Sequence, residues 1–238
     1  MSTTVLATSH GLRVEETTQF FESLNATGFN GEMGLISRDI NFHGKPNLLE
    51  WYPSPTYFRS SHRLFLYLEY MHKAPKTDKI ILTGVRDVIF QANPEEIECE
   101  GLHIFQEEET TKIKDCAFNS RWITETYGEA GLERIGEHPI ICAEIVIGTW
   151  DAMIEFLHIM TKHAREQEPK NILEDQAILN WLYWTGKLPT VTKYHNEEYP
   201  VYTMGNLKRV LLRQHRIFNS KGEIPIILHQ YDRHLMVL

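Results

Sequence analysis

Short apolar runs and helical periodicities take turns along the first two-thirds of the chain. The runs at residues 5–8, 34–37 and 79–82 are short and β-prone, which is typical of strands. Over residues 15–24 and 59–71 the apolar positions instead recur every three or four residues, which predicts amphipathic helices. This alternation of strand and helix favours an α/β fold with a mostly parallel sheet.

The same pattern continues towards the C-terminus. Met153, Phe156, Leu157 and Met160 define the clearest apolar face, on a helix predicted over 149–163. The other elements that the pattern predicts are strands at 102–105 and 139–142, helices over 119–127 and 171–184, and β-rich segments at 201–203, 210–212 and 224–228. The chain has neither an internal repeat nor a long linker, so we predict a single domain.

Composition narrows the class of protein. With 238 residues, 42% of them hydrophobic, the chain is long enough to bury a sizeable core without disulfides. Its three cysteines are odd in number and widely spaced, so we expect reduced thiols. No apolar run approaches the roughly 18 residues of a membrane helix, and the first residues lack the pattern of a secretory signal. We therefore expect a cytoplasmic protein without an integral membrane segment.

Charge and missing motifs exclude further classes. The net charge is −8, from 24 basic and 32 acidic residues, which disfavours nucleic acid as a partner because phosphate contacts need positive charge. A nucleotide can still bind through a local basic patch or a metal ion. The sequence contains no P-loop, no dinucleotide-binding glycine motif after the first strand, no nucleophile elbow and no His-Glu-x-x-His pair. The candidates that remain are polar side chains at the ends of strands.

Asp87 and Arg86 directly follow the predicted strand at 79–82. Ligands of open α/β sheets bind outside the carboxyl ends of the strands. A carboxylate in that position can hold Mg²⁺ or Mn²⁺, which also binds phosphate oxygens, and Arg86 can pair with the phosphate itself. The alternative is that Asp87 only caps the following turn, as loop aspartates often do.

His229 and Asp232 follow the last apolar run of the chain. An imidazole and a carboxylate after a strand can complete a metal shell or orient a substrate. The structural alternative is a hydrogen-bonded histidine and a surface pair between Asp232 and Arg233.

Asp175 stands near the start of the predicted helix at 171–184. In a cleft its carboxylate can act as a base or accept hydrogen bonds from an acceptor hydroxyl, but the helix dipole favours an acid there without any function. Asn180 adds an amide, and Trp181 adds a flat face suited to a sugar ring, although aromatic residues at helical spacing mostly belong to the core.

Arg59, His62 and Arg63 share one face of a predicted helix and form a basic cluster. Such a cluster can contact a diphosphate, or it can be a solvated helix face. Glu144 is the acid inside the apolar run at 140–147, so it either faces a cleft at the end of a strand or pairs with a cation. Glu144 is thus a second candidate base.

Five segments carry a family resemblance. They are KIILTGVRDVIFQANP at 79–94, NSRWI at 119–123, CAEIVIG at 142–148, DQAILN at 175–180 and PIILHQYDR at 225–233. In this order they resemble small glycosyltransferase-like proteins of the nucleotide-diphospho-sugar transferase (GT-A fold) superfamily. The resemblance implies a Rossmann-type three-layer sandwich, a nucleotide-diphosphate sugar as donor, and Mn²⁺ or Mg²⁺ as cofactor.

The resemblance also implies roles for individual residues. Asp87 becomes the metal or diphosphate residue, His229 a further metal ligand and Asp175 the acid near the reacting sugar. The acidic loop of such proteins usually reads Asp-Val-Arg-Asp, and here Gly84 replaces its first acid, which should weaken metal or ribose binding. The residues expected around the nucleotide sugar are Thr8, Ser9, His10, Gly11, Arg59, Arg63, Arg86 and Asp87. Those expected on the acceptor side are Asn180, Trp181 and Asp232.

The leading hypothesis is transfer of a sugar from a nucleotide-diphosphate donor to a glycan or another hydroxyl acceptor. Asp175 or Glu144 would be the base of an inverting reaction, and the sequence leaves a retaining reaction open. A second hypothesis is a weakly active or inactive member that binds a nucleotide sugar or a protein partner, as Gly84 suggests. A nucleotidyltransferase is a third, weaker alternative, because the segment at 8–13 offers only one glycine and one arginine for a basic loop.

Overall fold

The computed structural model describes residues 2–9, 11–37, 48–51, 60–167, 174–205, 207 and 210–234. The α-helices are α1 (Thr18–Ala26), α2 (His62–Lys73), α3 (Ala117–Tyr127), α4 (Glu129–Ile135), α5 (Trp150–Glu166) and α6 (Asp175–Trp184). The strands are β1 (Thr3–Ser9), β2 (Glu32–Ser37), β3 (Leu48–Trp51), β4 (Lys79–Thr83), β5 (Val88–Phe90), β6 (Leu102–Gln106), β7 (Ile141–Thr149), β8 (Val191–Tyr194), β9 (Val201–Thr203), β10 (Leu211–Arg213), β11 (Arg216–Phe218) and β12 (Ile227–His229).

Seven strands form the central sheet, in the order β3-β2-β1-β4-β7-β6-β8. Within it β3, β2, β1 and β4 are parallel neighbours, and β6 and β8 form another parallel pair. β7 runs antiparallel to both of its neighbours, β4 and β6. This confirms the mostly parallel α/β sheet that the sequence pattern predicts. Because β1 and β4 end at the same edge, the residues that follow them meet there.

Both faces of the central sheet are covered, which makes a three-layer sandwich. On one face α2, α5 and α6 bury their apolar sides, and Leu64 and Phe156 pack with Ile80 in a single cluster. On the opposite face α1 and a smaller sheet cover the strands, and Phe20 packs with Ile81. Ile80 and Ile81 lie on opposite faces because successive side chains of a strand alternate.

The predicted amphipathic helix over 149–163 is confirmed as α5. Met153, Phe156, Leu157 and Met160 are each at most 1% exposed, so the apolar face of the pattern is the buried face. Among the described helices, none combines the length and the apolar character that crossing a membrane requires.

A three-stranded sheet, in the order β5-β12-β9, ties the last strand to the loop after β4. β12 runs antiparallel to β5 with His229 opposite Val88, and parallel to β9 with His229 opposite Thr203. The backbone N–H of Gln230 donates to the carbonyl oxygen of Asp87 at 2.7 Å. This pairing brings a distant segment of the chain directly beside Asp87.

Some predicted boundaries differ from the structure. The strand predicted at 139–142 is the nine-residue β7, and Glu144 lies inside it. The charged residue interrupts the apolar pattern, so the pattern ends the strand too early. The helix predicted over 171–184 begins at Asp175 in the structure, and residues 171–173 lie outside the described residues.

Candidate active site

A cavity of about 370 Å³ lies at the edge of the central sheet where β1 and β4 end. The first turns of α2 and α6 border it, and a volume of this size is in the range of small-molecule sites. The residues that line the cavity are Thr8, Leu12, Ser60, Arg63, Val85, Arg86, Asp87, Trp122, Glu144, Glu174, Asp175 and Gln176.

Arg63, the second residue of α2, joins two carboxylates in this cavity. Its Nε donates to Oδ2 of Asp175, and its Nη1 donates to Oε2 of Glu144. Its Nη2 also donates to the carbonyl oxygen of Ala143 at 3.3 Å. The side chains of Arg63 and Asp175 are only 10% and 4% exposed. Charges so well shielded from water need this hydrogen bonding to offset their desolvation.

The starts of α2 and α6 are held together by Ser60. Its Oγ donates to Oε2 of Glu174 at 2.5 Å and accepts a hydrogen bond from the backbone N–H of Asp175 at 3.1 Å. Asp175 is the first residue of α6, so its carboxylate lies at the positive end of the helix dipole. The position of Asp175 is therefore set by its helix as well as by Arg63.

Asp87 and His229 form a second contact at this site, with Oδ2 of Asp87 3.7 Å from Nε2 of His229. The pairing of β5 with β12 brings the two residues together. Nδ1 of His229 lies 3.3 Å from Oγ1 of Thr203 and 3.6 Å from Sγ of Cys142. Because these neighbours engage Nδ1, Nε2 is the ring nitrogen that faces Asp87.

Asp87 and His229 fit a divalent cation only as part of a shared ligand shell. Donor atoms 3.7 Å apart can both reach one ion, and a carboxylate and an imidazole are suitable ligands for Mn²⁺. Within the described ranges, no three or more His, Cys, Asp or Glu side chains are grouped so that they could hold a metal ion. Diphosphate oxygens or water would have to complete the shell, as they commonly do around Mg²⁺.

The surroundings of the three carboxyl groups shift their pKa values in different directions. Burial raises the pKa of Asp175 above its usual range, although Arg63 opposes the shift. Burial also raises the pKa of Asp87, with His229 opposing and Glu144 adding to the shift. Burial alone would raise the pKa of Glu144, but the attraction of Arg63 and His229 holds it below the usual range. Glu144 is therefore the carboxylate that keeps its charge most readily.

The end of β1 reaches the cavity through Thr8. Ser9 is buried, at 3% exposure, and Gly11 is an exposed residue with φ of 66° beyond the strand. Ser9 and Gly11 are not among the residues that line the cavity. His10 and Arg59 lie outside the described residues.

Asp232 reaches the site through Arg86. Oδ2 of Asp232 lies 3.6 Å from Nη2 of Arg86, whose side chain is 60% exposed. An exposed pair of this kind contributes little to stability. Arg86 thus remains available to a ligand, while Asp232 lies next to the cavity without lining it.

Two residues expected on the acceptor side lie away from the cavity, and we correct both assignments. The buried amide of Asn180 accepts from the N–H of Ile141 at 2.9 Å and donates to the carbonyl oxygen of Ile141 at 2.8 Å. The ring of Trp181 stacks on Tyr127, with ring centroids 4.4 Å apart. Asn180 therefore fixes α6 to β7, and Trp181 packs between α6 and α3.

Gln176 and Trp122 line the cavity, although the sequence pattern did not single them out. Oε1 of Gln176 accepts from the N–H of Ala143 at 3.1 Å, and its Nε2 donates to Oδ1 of Asn119 at 3.0 Å. Both residues occur in the segments that carry the family resemblance, DQAILN and NSRWI. Their place in those segments was the signal that could have identified them.

Comparison with known proteins gives structural matches. No protein-family model matches the chain, and no curated protein sequence matches it. A structure of the galactosyltransferase LgtC in complex with donor and acceptor sugar analogs matches with a TM-score of 0.56 and 11% identity. An active-site mutant of LgtC, with glutamate in place of a glutamine, matches with a TM-score of 0.58 and 10% identity.

Each of these matches covers 95% of this chain and 86% of the LgtC chain. Such low identity establishes a shared fold rather than a shared activity. The chain has the GT-A fold, as the resemblance of its five segments implies.

Proposed function

We propose that this protein is a glycosyltransferase that moves a sugar from a nucleotide-diphosphate donor to a glycan or another hydroxyl acceptor. The observation that carries the proposal is the convergence of Glu144 and Asp175 on Arg63, beside Asp87, in one cavity of a GT-A fold. That cavity lies at the sheet edge where open α/β proteins bind ligands. The galactosyltransferase activity of LgtC and its complex with sugar analogs support the same class of reaction.

The donor diphosphate is proposed to bind beside Asp87 and Arg86. A divalent cation, Mn²⁺ or Mg²⁺, would neutralise the charge of the leaving diphosphate, and Asp87 and His229 are the residues that would hold it. Arg86 lies at the same loop with a largely exposed guanidinium, which can donate to phosphate oxygens. Positive charge around the diphosphate makes it a better leaving group.

Asp175 is proposed to face the reacting sugar. Arg63 fixes the direction of its carboxylate, and burial raises its pKa, so it accepts a proton more readily than an exposed aspartate. Glu144 has a lowered pKa and is a weaker proton acceptor. If the reaction inverts configuration, we therefore assign the base to Asp175.

Gln176 is proposed to bind the donor sugar. LgtC has a glutamine in its active site, as its solved variant shows. In this chain Gln176 lines the cavity, and hydrogen bonds from Ala143 and to Asn119 fix the orientation of its amide. Both N–H groups of this amide already donate, to Asn119 and Glu107, so Oε1 is the atom that can accept a further hydrogen bond from a sugar hydroxyl.

The first test is calorimetry with a panel of nucleotide sugars, with and without Mn²⁺, followed by assays of donor hydrolysis and of transfer to offered acceptors. Asp87→Ala should weaken Mn²⁺-dependent donor binding by about 10–100-fold, the usual cost of disturbing a metal site. The matched control is Glu155→Gln, which removes an exposed charge on α5 outside the cavity. Turnover that is unchanged in Asp87→Ala would remove the assignment of Asp87.

A second candidate function is a silent protein that binds a nucleotide sugar without transferring it. Gly84 in place of an acid is the observation that favours it. Binding of a nucleotide sugar with neither hydrolysis nor transfer, across the panel of acceptors, would select this alternative over the enzyme.

We also propose a cytoplasmic location. Cys99, Cys116 and Cys142 are all free thiols in the structure, which suits a reducing compartment. Fractionation of cells that produce the full chain tests this point directly.

A further inference from the structure

Gly84, the residue after β4, lies beside the side chain of Glu144 on the neighbouring strand β7. The antiparallel register of β4 and β7 pairs Lys79 with Thr149 and Leu82 with Val146. This pairing ends at Leu82 and Val146, and β7 is irregular between Val146 and Cys142, where its register with β6 shifts. Glu144 lies in this irregular part of β7. The space around Gly84 shows how close the two residues are.

The structure shows that Glu144 already fills that space. A Cβ atom built on Gly84 would overlap Oε1 of Glu144 and would lie 2.8 Å from its Cδ and 3.1 Å from its Cγ. Cβ atoms essentially never come within 3.0 Å of another atom, so a side chain at position 84 would force the Glu144 carboxylate, which Arg63 holds, to move. The carboxylate of Glu144, from the neighbouring strand β7, therefore occupies the space that a side chain at position 84 would fill.

We propose that Glu144 supplies, from β7, the carboxylate that position 84 lacks. In this arrangement Glu144 and Asp87 are the two acids on the donor side of the cavity. Asp87 and His229 remain the residues that would hold the cation, and Glu144 would act from outside its ligand shell. The inference deepens the proposed function and rests on it, because it assigns Glu144 to the donor side of the same cavity.

Arg63 holds the Glu144 carboxylate in this place. It binds Oε2, which leaves Oε1 on the side of Gly84. The side chain of Glu144 is 28% exposed, so it remains open to the cavity, whereas Asp175 on the same guanidinium is 4% exposed. The competing explanation is that Glu144 serves only as a counter-ion of Arg63.

A double-mutant cycle of thermal stability tests, without any ligand, whether a carboxylate at position 84 and the one at position 144 compete for the same space. Gly84→Asp alone should lower the Tm by roughly 4 °C or more, because the new side chain displaces the Glu144 carboxylate from Arg63 and repels its charge. The same substitution made in the Glu144→Gly variant should lower the Tm much less, since the space beside position 84 is then vacant. Equal losses of Tm in both backgrounds would overturn the claim that Glu144 occupies the place of a side chain at position 84.

Titration of the protein with UDP in the presence and absence of Mn²⁺ tests the ligand role. Glu144→Gln, which keeps the shape of the side chain, should weaken Mn²⁺-dependent UDP affinity by about tenfold or more. The variant Gly84→Asp/Glu144→Gly should recover most of this affinity relative to Glu144→Gly. Glu155→Gln on α5 is the control and should bind as the wild type does.

The outcomes separate the two proposals. Glu144 is only the counter-ion of Arg63 if the Mn²⁺-dependent UDP affinity of Gly84→Asp/Glu144→Gly does not exceed that of Glu144→Gly. The same conclusion follows if Glu144→Gln binds UDP as tightly as the wild type. If the wild type binds none of UDP, GDP, CDP and ADP, with or without Mn²⁺, the proposed function fails and takes the ligand role of Glu144 with it. The stability cycle still decides whether the two positions exchange a carboxylate.

Discussion

Arg63 carries one positive charge for two carboxylates, Glu144 and Asp175, and all three side chains are largely shielded from water. Such an arrangement is stable only while the hydrogen bonds among the three groups are complete. The sequence pattern places Arg63 in a basic cluster and Glu144 in an apolar run, but it does not show that the two meet. The two residues lie 81 positions apart, and only the folded chain brings the Arg63 side chain on α2 to Glu144 on β7.

Replacing Arg63 by Met tests its role. The substitution leaves two carboxylates without their partner, and we expect it to lower the free energy of unfolding by about 3–5 kcal/mol at pH 7. Burial raises the pKa of both acids and Arg63 opposes this, so its loss shifts both folded-state pKa values upward. Protonation then favours the folded state, and the loss of stability should be smaller at pH 5 than at pH 7. Urea denaturation at the two pH values measures this. Arg121→Met, an exposed arginine on α3, is the control and should cost less than about 1 kcal/mol.

The pKa of Asp175 is a separate prediction. Burial raises it, so Asp175 should titrate above the ordinary aspartate value of about 3.9. Asp78 should titrate below that value, because the backbone N–H and the hydroxyl of Ser2 donate to its carboxylate. Carboxyl ¹³C NMR, with Asp175→Asn and Asp78→Asn to assign the signals, compares the two in one sample. An Asp175 signal that titrates at or below that of Asp78 would contradict the burial argument.

Between elements, Asn180 connects α6 to β7. Asn180→Ala removes the partners of both backbone polar groups of Ile141, and we expect it to lower the free energy of unfolding by about 2–4 kcal/mol. Asn25→Ala, an exposed position on α1, is the matched control and should change stability by less than about 0.5 kcal/mol. If Asn180→Ala unfolds at the same free energy as the wild type but transfers sugar to its acceptor more slowly, Asn180 binds the acceptor after all.

The sequence predicts the long elements well and only some of the short ones. α5 is identified because four buried residues repeat at helical spacing through it. β5 and β11 are three residues each, too short to show any period, yet β5 is the strand that brings Asp87 to His229. Asn180 and Trp181 were misassigned because the pattern identifies their helix without showing which of its faces borders the cavity.

At the scale of the whole molecule, the pattern predicts the α/β class but not the order of the strands. That order depends on which strands pair, and pairing is decided by contacts between segments far apart in the sequence. The five segments that resemble GT-A proteins supply part of this missing information. Four of them contribute residues that line the cavity, and the fifth contributes His229, which contacts Asp87.

The pairing of β5 with β12 has a consequence for how the protein folds. Thr8, at the end of the first strand, lines the cavity, and Gln230, near the other end of the chain, binds the backbone of Asp87. Every loop between them must close before the pocket exists, so the pocket is a product of high contact order and is completed late in folding. A bound nucleotide sugar would then stabilise the entire chain against unfolding. This stabilisation would be visible as protection from proteases at sites far from the ligand.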